Sequence, residues 1–327
     1  MDKTFKALLV EEDNGTYTNK VVERSIDDLP DGDLLVKVSY SSLNYKDALS
    51  ASGNPGVTRN FPHTPGIDAV GEVSQSSSSN FKEGDKVIVT GYDLGMNTAG
   101  GFSEFIRIPS SWAIQLPNNL SELDSMCLGT AGLTAGLSIY ALDSFRGISD
   151  TKSIVTGSTG GVGSISVMLL SKLGSEVTAL SGKTDKEDLL KGLGAKEVIS
   201  REQLSELTRL PIGKPLWDLG IDVVSGEILS LLLASLTPGG AVACSGLVGG
   251  PSFESSIFPF ILRGNTLIGI DSVEIPLEQK ENIWKLFANE WSLSLQDTTK
   301  IVSLEGISSE IETILKGEQV GRVVLEI

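Results

Sequence analysis

The sequence has few of the residues that bind metals or form disulfide bonds. Its 327 residues include one histidine, His63, and two cysteines, Cys127 and Cys244, which are far apart in the chain. Zinc sites need several cysteine, histidine or carboxylate ligands that converge on one ion, and two separate thiols form no disulfide framework. We therefore expect a protein without zinc and without disulfide bonds, which is typical of the reducing cytoplasm.

Basic residues and long apolar runs are also scarce. Lysine and arginine total 26 against 42 aspartates and glutamates, so the formal net charge is −16. A surface this acidic repels nucleic acids and anionic membranes. The longer apolar runs, such as residues 228–236, are shorter than a membrane-spanning helix, and residues 1–10 lack the apolar core of a signal peptide. We expect a cytoplasmic protein with neither nucleic acid nor membrane as a partner.

The first part of the chain has the pattern of short strands separated by turns. The predicted strands are residues 5–10, 34–39, 69–74, 86–90 and 102–108. After Pro117 the pattern becomes helical, with one helix over residues 121–128, capped by Ser121, and another over residues 132–142. The change of pattern predicts a β-rich domain that ends near residue 120.

Strands and helices then alternate, which is typical of a doubly wound parallel sheet. The predicted strands are residues 153–156, 176–180, 197–199, 220–224 and 241–245, and the predicted helices are residues 162–173, 185–193 and 227–236. Past Phe260 the alternation stops, and a closing strand at 322–326 is distant enough to return to the first domain. We therefore predict an α/β protein in which a nucleotide-binding domain, 121–262, is inserted in a catalytic domain made of residues 1–120 and 263–327.

The strongest chemical signal is a glycine-rich turn between a predicted strand and a predicted helix. Three of its glycines are three residues apart, a spacing that allows a tight turn and the close approach of a pyrophosphate to the helix N-terminus. An ordinary turn without a ligand is the alternative, and the strand–turn–helix context favours the ligand. The predicted cofactor loop consists of Gly157, Ser158, Thr159, Gly160, Gly161, Val162 and Gly163.

The end of the next strand indicates which dinucleotide binds. An NAD site has an acidic residue there for the ribose 2′-hydroxyl, whereas this chain has Ser181-Gly182-Lys183. Ser181 can donate a hydrogen bond to a 2′-phosphate, and Lys183 can pair with its charge. A solvated lysine before a helix is the alternative. The sequence favours NADP(H).

Motifs along nearly the whole chain resemble a known family. They are Ser42-Leu43-Asn44-Tyr45-Lys46-Asp47, Pro65-Gly66-Ile67-Asp68 with Gly71, Gly129-Thr130-Ala131-Gly132, the glycine loop, Ser181-Gly182-Lys183, Phe260-Ile261-Leu262-Arg263, Gly269-Ile270-Asp271-Ser272-Val273 and Gly321-Arg322. On these motifs the chain is similar to the medium-chain dehydrogenase/reductases. The resemblance is to their zinc-independent quinone-oxidoreductase branch, of the YhdH/YhfP type, which includes acrylyl-CoA reductases. Zinc-containing relatives carry Gly-His-Glu where this chain has Gly66-Ile67-Asp68, and the subfamily often has arginine at the position of Lys183.

The resemblance implies a Rossmann domain inserted in a GroES-like catalytic domain, and a small-molecule substrate. It implies hydride transfer from NADPH to a conjugated small acyl thioester, with acrylyl-CoA first, or to a quinone. Tyr45, with Asn44 beside it, is the first candidate for a proton donor or an orienting hydroxyl, and packing is an equal alternative. Thr130 would contact the nicotinamide or cap a helix. Arg263 would attract an anion or form a salt bridge between domains.

Two further expectations concern the cofactor set and self-association. Ser245 and Gly246, next to Cys244 at a predicted strand end, complete the predicted cofactor-binding residues. A homodimer is expected because the last strand of the open sheet, residues 266–269, would present an unpaired edge. A non-catalytic NADP(H)-binding protein with a structural or regulatory role stays open as an alternative, since a fold does not establish turnover.

Overall fold

The computed structural model describes residues 4–327, apart from the side chain of Thr184. These residues form two compact units: the first contains the chain up to Thr130 together with Ser272–Ile327, and the second is Ala131–Asp271. Both borders lie later than the predicted ones at 120/121 and 262/263. At the first border, the start of the helix that begins at Glu122 stays with the first unit, up to an interruption at Gly129. Residues 1–3 of the predicted first domain lie outside the described part.

The regular elements are numbered in chain order. The strands are β1 (Thr4–Asp13), β2 (Thr16–Ser25), β3 (Leu34–Ser42), β4 (Asp68–Ser76), β5 (Lys86–Thr90), β6 (Phe105–Ile108), β7 (Ala113–Gln115), β8 (Lys152–Val155), β9 (Glu176–Leu180), β10 (Glu197–Ile199), β11 (Trp217–Asp222), β12 (Leu236–Cys244), β13 (Thr266–Gly269), β14 (Thr299–Ser303) and β15 (Arg322–Glu326). The α-helices are α1 (Tyr45–Ala51), α2 (Glu122–Arg146), α3 (Gly161–Lys172), α4 (Glu187–Gly192), α5 (Arg201–Leu207), α6 (Gly226–Ser235), α7 (Phe258–Arg263), α8 (Leu277–Ala288) and α9 (Ile307–Leu315).

The first unit is built on a sheet whose strand order is β14-β15-β3-β4-β5-β7, with β6 also paired to β3. The last strand of the chain, β15, pairs antiparallel with β3, so that Val324 lies opposite Ser42. The predicted return of the C-terminal strand to the first domain is therefore correct. On β4 and β5, Asp68 lies opposite Thr90.

The second unit is a six-stranded parallel sheet with the order β10-β9-β8-β11-β12-β13. The direction of winding reverses between β8 and β11, as in a doubly wound dinucleotide-binding fold. Apolar side chains from β8, β9, β10 and α6 form its core, including Ile154, Leu180, Ile199 and Leu232. The predicted fold class is confirmed, and a ligand is expected at the carboxyl ends of these strands.

Several elements were not predicted from the sequence. They are β2, β7, β14, α1, α5 and α7. Strand β2 is rich in polar residues and forms because it pairs along its whole length with β1. The helices α1, α5 and α7 have six or seven residues each, too few for a helical period to stand out. Tertiary packing, and not local pattern, decides elements of this kind.

The long helix α2 corrects one expectation about apolar runs. It has 25 residues and is long and apolar enough to cross a membrane by length and composition, although 78% of its apolar window is buried inside the protein. That burial is characteristic of a core helix. The two helices predicted at 121–128 and 132–142 run on as one, interrupted at Gly129, where φ is 52° and ψ is −155°. Ser121 precedes it as predicted, and its Oγ accepts a hydrogen bond from Asp124 N at 3.0 Å.

Candidate functional site

The glycine-rich turn lies between the end of β8 and the start of α3. Ser158 ties the turn to the neighbouring strand: its Oγ donates to Val155 O at 2.7 Å and to Leu180 O at 3.1 Å. Gly163 allows the helix to approach the turn, since a side-chain carbon there would lie 2.3 Å from Gly157 O. The turn is thus supported from β9 and packed tightly against the first turn of α3.

The first turn of α3 is suited to an anion. Gly160 occupies the N-cap position, and Gly161, Val162 and Gly163 begin the helix. The first N–H groups of a helix have no acceptor within it and carry partial positive charge. Backbone groups here can therefore bind a pyrophosphate without any charged side chain. The residues of the turn fit the predicted cofactor, and Thr159 is buried beside them.

The end of β9 brings together a hydroxyl group and two basic residues. Ser181 Oγ accepts a hydrogen bond from Lys183 N at 3.0 Å, and Ser181 N donates to Ile199 O at 3.1 Å. Through that contact the start of α5 lies next to Gly182: a side-chain carbon at Gly182 would be 3.6 Å from Arg201 Nε. Arg201 is exposed. The arrangement fits a phosphate group at this strand end.

Sequence reasoning missed Arg201. It lies twenty positions beyond Ser181, and only the parallel pairing of β9 with β10 brings the two strand ends together. A signal was present in the sequence, because Arg201 is the second residue after the predicted strand 197–199 and follows Ser200. The Ser200 Oγ accepts a hydrogen bond from Gln203 N at 3.2 Å and caps α5.

The carboxyl ends of β11 and β12 lie at the same edge of the parallel sheet as the ends of β8 and β9. Ser245 N donates to Asp222 O at 3.0 Å, whereas the buried Ser245 Oγ has no hydrogen-bond partner among residues 4–327. Gly246 is half-buried next to it, and burial raises the pKa of the half-buried Cys244 thiol. A buried hydroxyl group without a protein partner can be satisfied by a bound polar ligand.

A buried carboxylate organises the first unit. Asp68 is fully buried, and its Oδ2 accepts hydrogen bonds from Ser42 Oγ at 2.5 Å, Asn44 Nδ2 at 2.7 Å and Thr130 N at 2.8 Å. Its Oδ1 accepts one from Thr130 Oγ1 at 2.6 Å. The side chains of Asn44 and Thr130, two predicted site residues, are therefore both bound to Asp68.

A second buried carboxylate holds the start of α1. Asp47 accepts hydrogen bonds from the backbone N–H groups of Asn44 at 2.8 Å, Gly66 at 3.1 Å and Ile67 at 2.8 Å. Burial, with the charge of Asp68 as a second cause, raises the pKa of Asp47 to about 7. Asp47 fixes Asn44 at the N-cap, so Tyr45 becomes the first residue of α1. The Tyr45 side chain is 40% exposed, which leaves it accessible to a ligand.

Arg322 supplies the positive charge of this cluster. Its Nε donates to Cys127 O at 3.1 Å, and its Nη1 donates to Leu43 O at 3.2 Å and Asn44 Oδ1 at 3.3 Å. Burial lowers the pKa of Arg322 from its usual value. Asp47, Asp68, Asn44, Thr130 and Arg322 together form what we call the polar cluster of the first unit.

The Arg263 guanidinium group binds backbone carbonyls of the second unit. Its Nη1 donates to Ala234 O at 3.0 Å and Leu236 O at 2.8 Å, and its Nη2 donates to Gly213 O. It takes part in none of the ion pairs found in the described part of the chain. These contacts correspond to neither role predicted for Arg263, because its guanidinium group binds backbone carbonyls within the second unit.

We expect the polar cluster to depend on the absence of a side chain at Gly129. A side-chain carbon there would lie 2.3 Å from Ser42 Oγ, 2.6 Å from Asp68 Oδ2 and 2.8 Å from Arg322 Nη2. Its φ and ψ also belong to a region that is essentially restricted to glycine. Gly129→Ala should lower the free energy of unfolding by about 3–5 kcal/mol, measured by urea denaturation.

Gly84→Ala is the matched control for that measurement. Gly84 also has a positive φ, of 89°, and no atom lies within 4 Å of a side-chain carbon there. The control should lose only about 1–2 kcal/mol from backbone strain. Equal losses in the two variants would mean that crowding of the polar cluster is not important.

Comparison with known proteins identifies the fold family. The model described as alcohol dehydrogenase GroES-like domain matches residues 30–118, and the model described as zinc-binding dehydrogenase matches residues 161–289. A zinc ion does not fit this chain: no group of three or more histidine, cysteine, aspartate or glutamate residues that could hold a metal occurs within residues 4–327. His63 Nε2 is instead hydrogen-bonded with Gly95 O at 2.9 Å.

Relatives that are similar over the full length identify the branch of the family. YhfP of Bacillus subtilis, named as a quinone oxidoreductase, is 40% identical over 100% of both chains, and its structure with NAD bound has a TM-score of 0.96. The acrylyl-CoA reductase AcuI of Ruegeria pomeroyi is 36% identical over 99% of each chain. The YhdH oxidoreductase of Salmonella enterica, in complex with NADP, is 37% identical with a TM-score of 0.95, over 98% of this chain and 99% of that one. The chain therefore belongs to the medium-chain dehydrogenase/reductase superfamily of oxidoreductases, in the branch that contains YhfP, AcuI and YhdH.

Proposed function

We propose that this protein is an NADPH-dependent reductase of a conjugated small acyl thioester, with acrylyl-CoA as its substrate. The observation that carries the proposal is the similarity to AcuI over 99% of both chains, combined with a phosphate-binding edge and an accessible tyrosine. The similarity to YhfP favours a second candidate, reduction of a quinone by the same hydride step. A non-catalytic NADP(H)-binding role is the outcome if neither acceptor is reduced.

The second unit supports NADP(H) as the cofactor. The N-terminus of α3 would bind the pyrophosphate, and Ser181, Lys183 and Arg201 would bind the 2′-phosphate at the end of β9. Lys183 and Arg201 would supply local positive charge for the phosphate on a protein whose net charge is −16. NADP is bound to YhdH of Salmonella enterica, and NAD is bound to YhfP of Bacillus subtilis, so the preference of this chain depends on its own residues.

The chemistry requires a hydride donor, a stabilised oxygen and a proton. When bound, NADPH supplies the hydride to the β-carbon, and the carbon–carbon double bond becomes an enolate. The hydroxyl group of Tyr45 would then donate a proton to the α-carbon, directly or through water. Asn44 and Thr130 would act indirectly: both side chains bind Asp68, and Asn44 precedes Tyr45 at the start of α1.

The first prediction of this proposal concerns the 2′-phosphate. Arg201→Ala and Lys183→Ala should each raise the KM for NADPH by roughly 10-fold or more, because a charge-assisted hydrogen bond contributes about 1.5–3 kcal/mol. The KM for NADH should change less than twofold. Steady-state kinetics with both cofactors measures the difference.

Lys196→Ala is a suitable control for these two variants. Lys196 is an exposed lysine of the same unit and pairs with Glu176 at 2.5 Å, so its loss should affect neither KM. Equal effects of Arg201→Ala on NADPH and NADH would remove Arg201 from the 2′-phosphate site.

The second prediction concerns the acceptor. With saturating NADPH, the protein should oxidise the cofactor rapidly in the presence of acrylyl-CoA and slowly in the presence of a simple quinone.

Tyr45→Phe should lower kcat with acrylyl-CoA by about 10²–10⁴-fold, the usual contribution of a general acid, with an unchanged dissociation constant for NADPH. Absorbance at the reduced nicotinamide band measures turnover.

The outcomes separate the candidate functions. Rapid quinone turnover with no acrylyl-CoA turnover would support the quinone reductase and contradict the leading proposal. Tight NADPH binding with no turnover of either acceptor would support the non-catalytic role. A Tyr45→Phe variant with full activity would show that the proton comes from another group.

We also propose a homodimer, formed through the edge strand β13. The sheet order ends at β13, which within residues 4–327 pairs with β12 alone, and its other edge can pair with the same strand of a second copy. Exposed apolar side chains are concentrated in the adjoining segment 247–262. They are Leu247, Val248, Phe253, Ile257, Phe258, Ile261 and Leu262.

Light scattering after size-exclusion chromatography tests the dimer. The protein should elute at twice its chain mass of 34.6 kDa, and Leu262→Asp, at a side chain that is 65% exposed, should elute as a monomer. Tyr140→Asp, at an exposed aromatic residue on α2, should stay dimeric. A monomeric wild-type protein would refute the proposal.

A further inference from the structure

Lys280 is a buried lysine whose charge binds backbone groups of the first unit. It lies on α8 and is 1% exposed. Its Nζ donates to Thr90 O at 2.7 Å and to Val273 O at 2.8 Å, and it lies 3.5 Å from the centroid of the Tyr92 ring. Burial of an ammonium group is costly unless such partners replace water. The Lys280 ammonium group thus joins two backbone carbonyls that are far apart in the chain, those of Thr90 and Val273.

Tyr92 binds the same stretch of chain as Lys280, at Val273 and Ile275. Its backbone N–H donates to Val273 O at 3.3 Å, and its hydroxyl group donates to Ile275 O at 3.2 Å. The ring stacks on Trp112, with centroids 5.9 Å apart and planes 17° apart. Tyr92 reaches this position with a φ of 52°, a left-handed conformation that is unfavourable for a residue other than glycine.

The bound segment directly follows the edge of the second unit's sheet. Strand β13 ends at Gly269, and Ile270 N donates to Cys244 O at 2.9 Å. Residues 270–273 therefore begin next to Ser245, at the carboxyl ends of β12 and β13. In a doubly wound sheet the first three strands bind the adenosine half of the dinucleotide, and the strands beyond the reversal bind the nicotinamide half.

We propose that Lys280 is a positioning residue for the nicotinamide half of the cofactor. It acts through the backbone at Val273 and holds the segment that follows β13, with Tyr92 covering its ammonium group. The inference rests on the proposed cofactor. The inference adds to the proposed cofactor site, because Lys280 and Tyr92 belong to neither the phosphate-binding residues nor the polar cluster.

The test compares substitutions at Lys280 with one on the exposed side of the same helix. Lys280→Met should lower kcat/KM for NADPH by about 10–100-fold, the size expected when a reacting group is displaced by about 1 Å. Lys280→Arg should recover most of the activity, since a guanidinium group can donate to both carbonyls and stack on tyrosine. Lys285→Met, at a lysine with 65% side-chain exposure paired with Glu281, should behave as the wild type.

A cofactor fragment separates positioning from a general loss of structure. Adenosine 2′,5′-bisphosphate has the adenosine half and the 2′-phosphate but no nicotinamide. Its dissociation constant, measured by calorimetry, should be the same for Lys280→Met and for the wild type, whereas NADPH should bind the variant more weakly. An equal weakening of both ligands would overturn the positioning role, as would unchanged NADPH kinetics in Lys280→Met.

Tyr92 provides a second pair of variants if Lys280→Met does not fold. Tyr92→Leu removes the ring above the ammonium group and should reproduce the selective loss of NADPH affinity. Tyr92→Phe keeps the ring and should stay within about threefold of the wild type, since only the part-buried hydrogen bond to Ile275 O is lost. A wild-type protein that fails to bind adenosine 2′,5′-bisphosphate would contradict the proposed cofactor site itself, a result distinct from failure of the Lys280 inference.

Discussion

The hydrogen bonds to the buried carboxylate of Asp68 constrain the first unit more widely than any other interaction in it. Their donors come from Ser42 at the end of β3, Asn44 before α1 and Thr130 within α2. A buried carboxylate needs these donors because an ionised group without partners is strongly disfavoured away from water. The end of one strand, the start of one helix and the interruption of another therefore have to meet around one side chain.

In both units, backbone N–H and carbonyl groups are the partners of charged groups. In the first unit, Asp47, Lys280 and Arg322 are all buried and all bind backbone N–H or carbonyl groups. In the second, the N-terminus of α3 offers N–H groups to a phosphate. This use of backbone dipoles suits an acidic protein, because it places charge and partial charge at defined points without adding a basic surface.

The branch contains relatives named for two different acceptors, a quinone and acrylyl-CoA. In the proposed function, the phosphate-binding edge would select the cofactor, and the accessible hydroxyl group of Tyr45 would supply the proton. Neither feature distinguishes a thioester from a quinone, since both acceptors take up a hydride and a proton. The polar cluster fixes Asn44, and with it the start of α1 at Tyr45, whichever acceptor is used.

The sequence alone determined the features that depend on local order along the chain. The glycine turn and the alternation of strands and helices predicted the nucleotide-binding fold, because spacing and residue type suffice for them. The tertiary structure alone decided which strand ends meet. That is why Arg201 was missed beside Ser181, why Arg263 binds backbone carbonyls, and why Asn44 and Thr130 share Asp68. Such contacts join residues from distant parts of the chain, and only the packing of the sheets defines them.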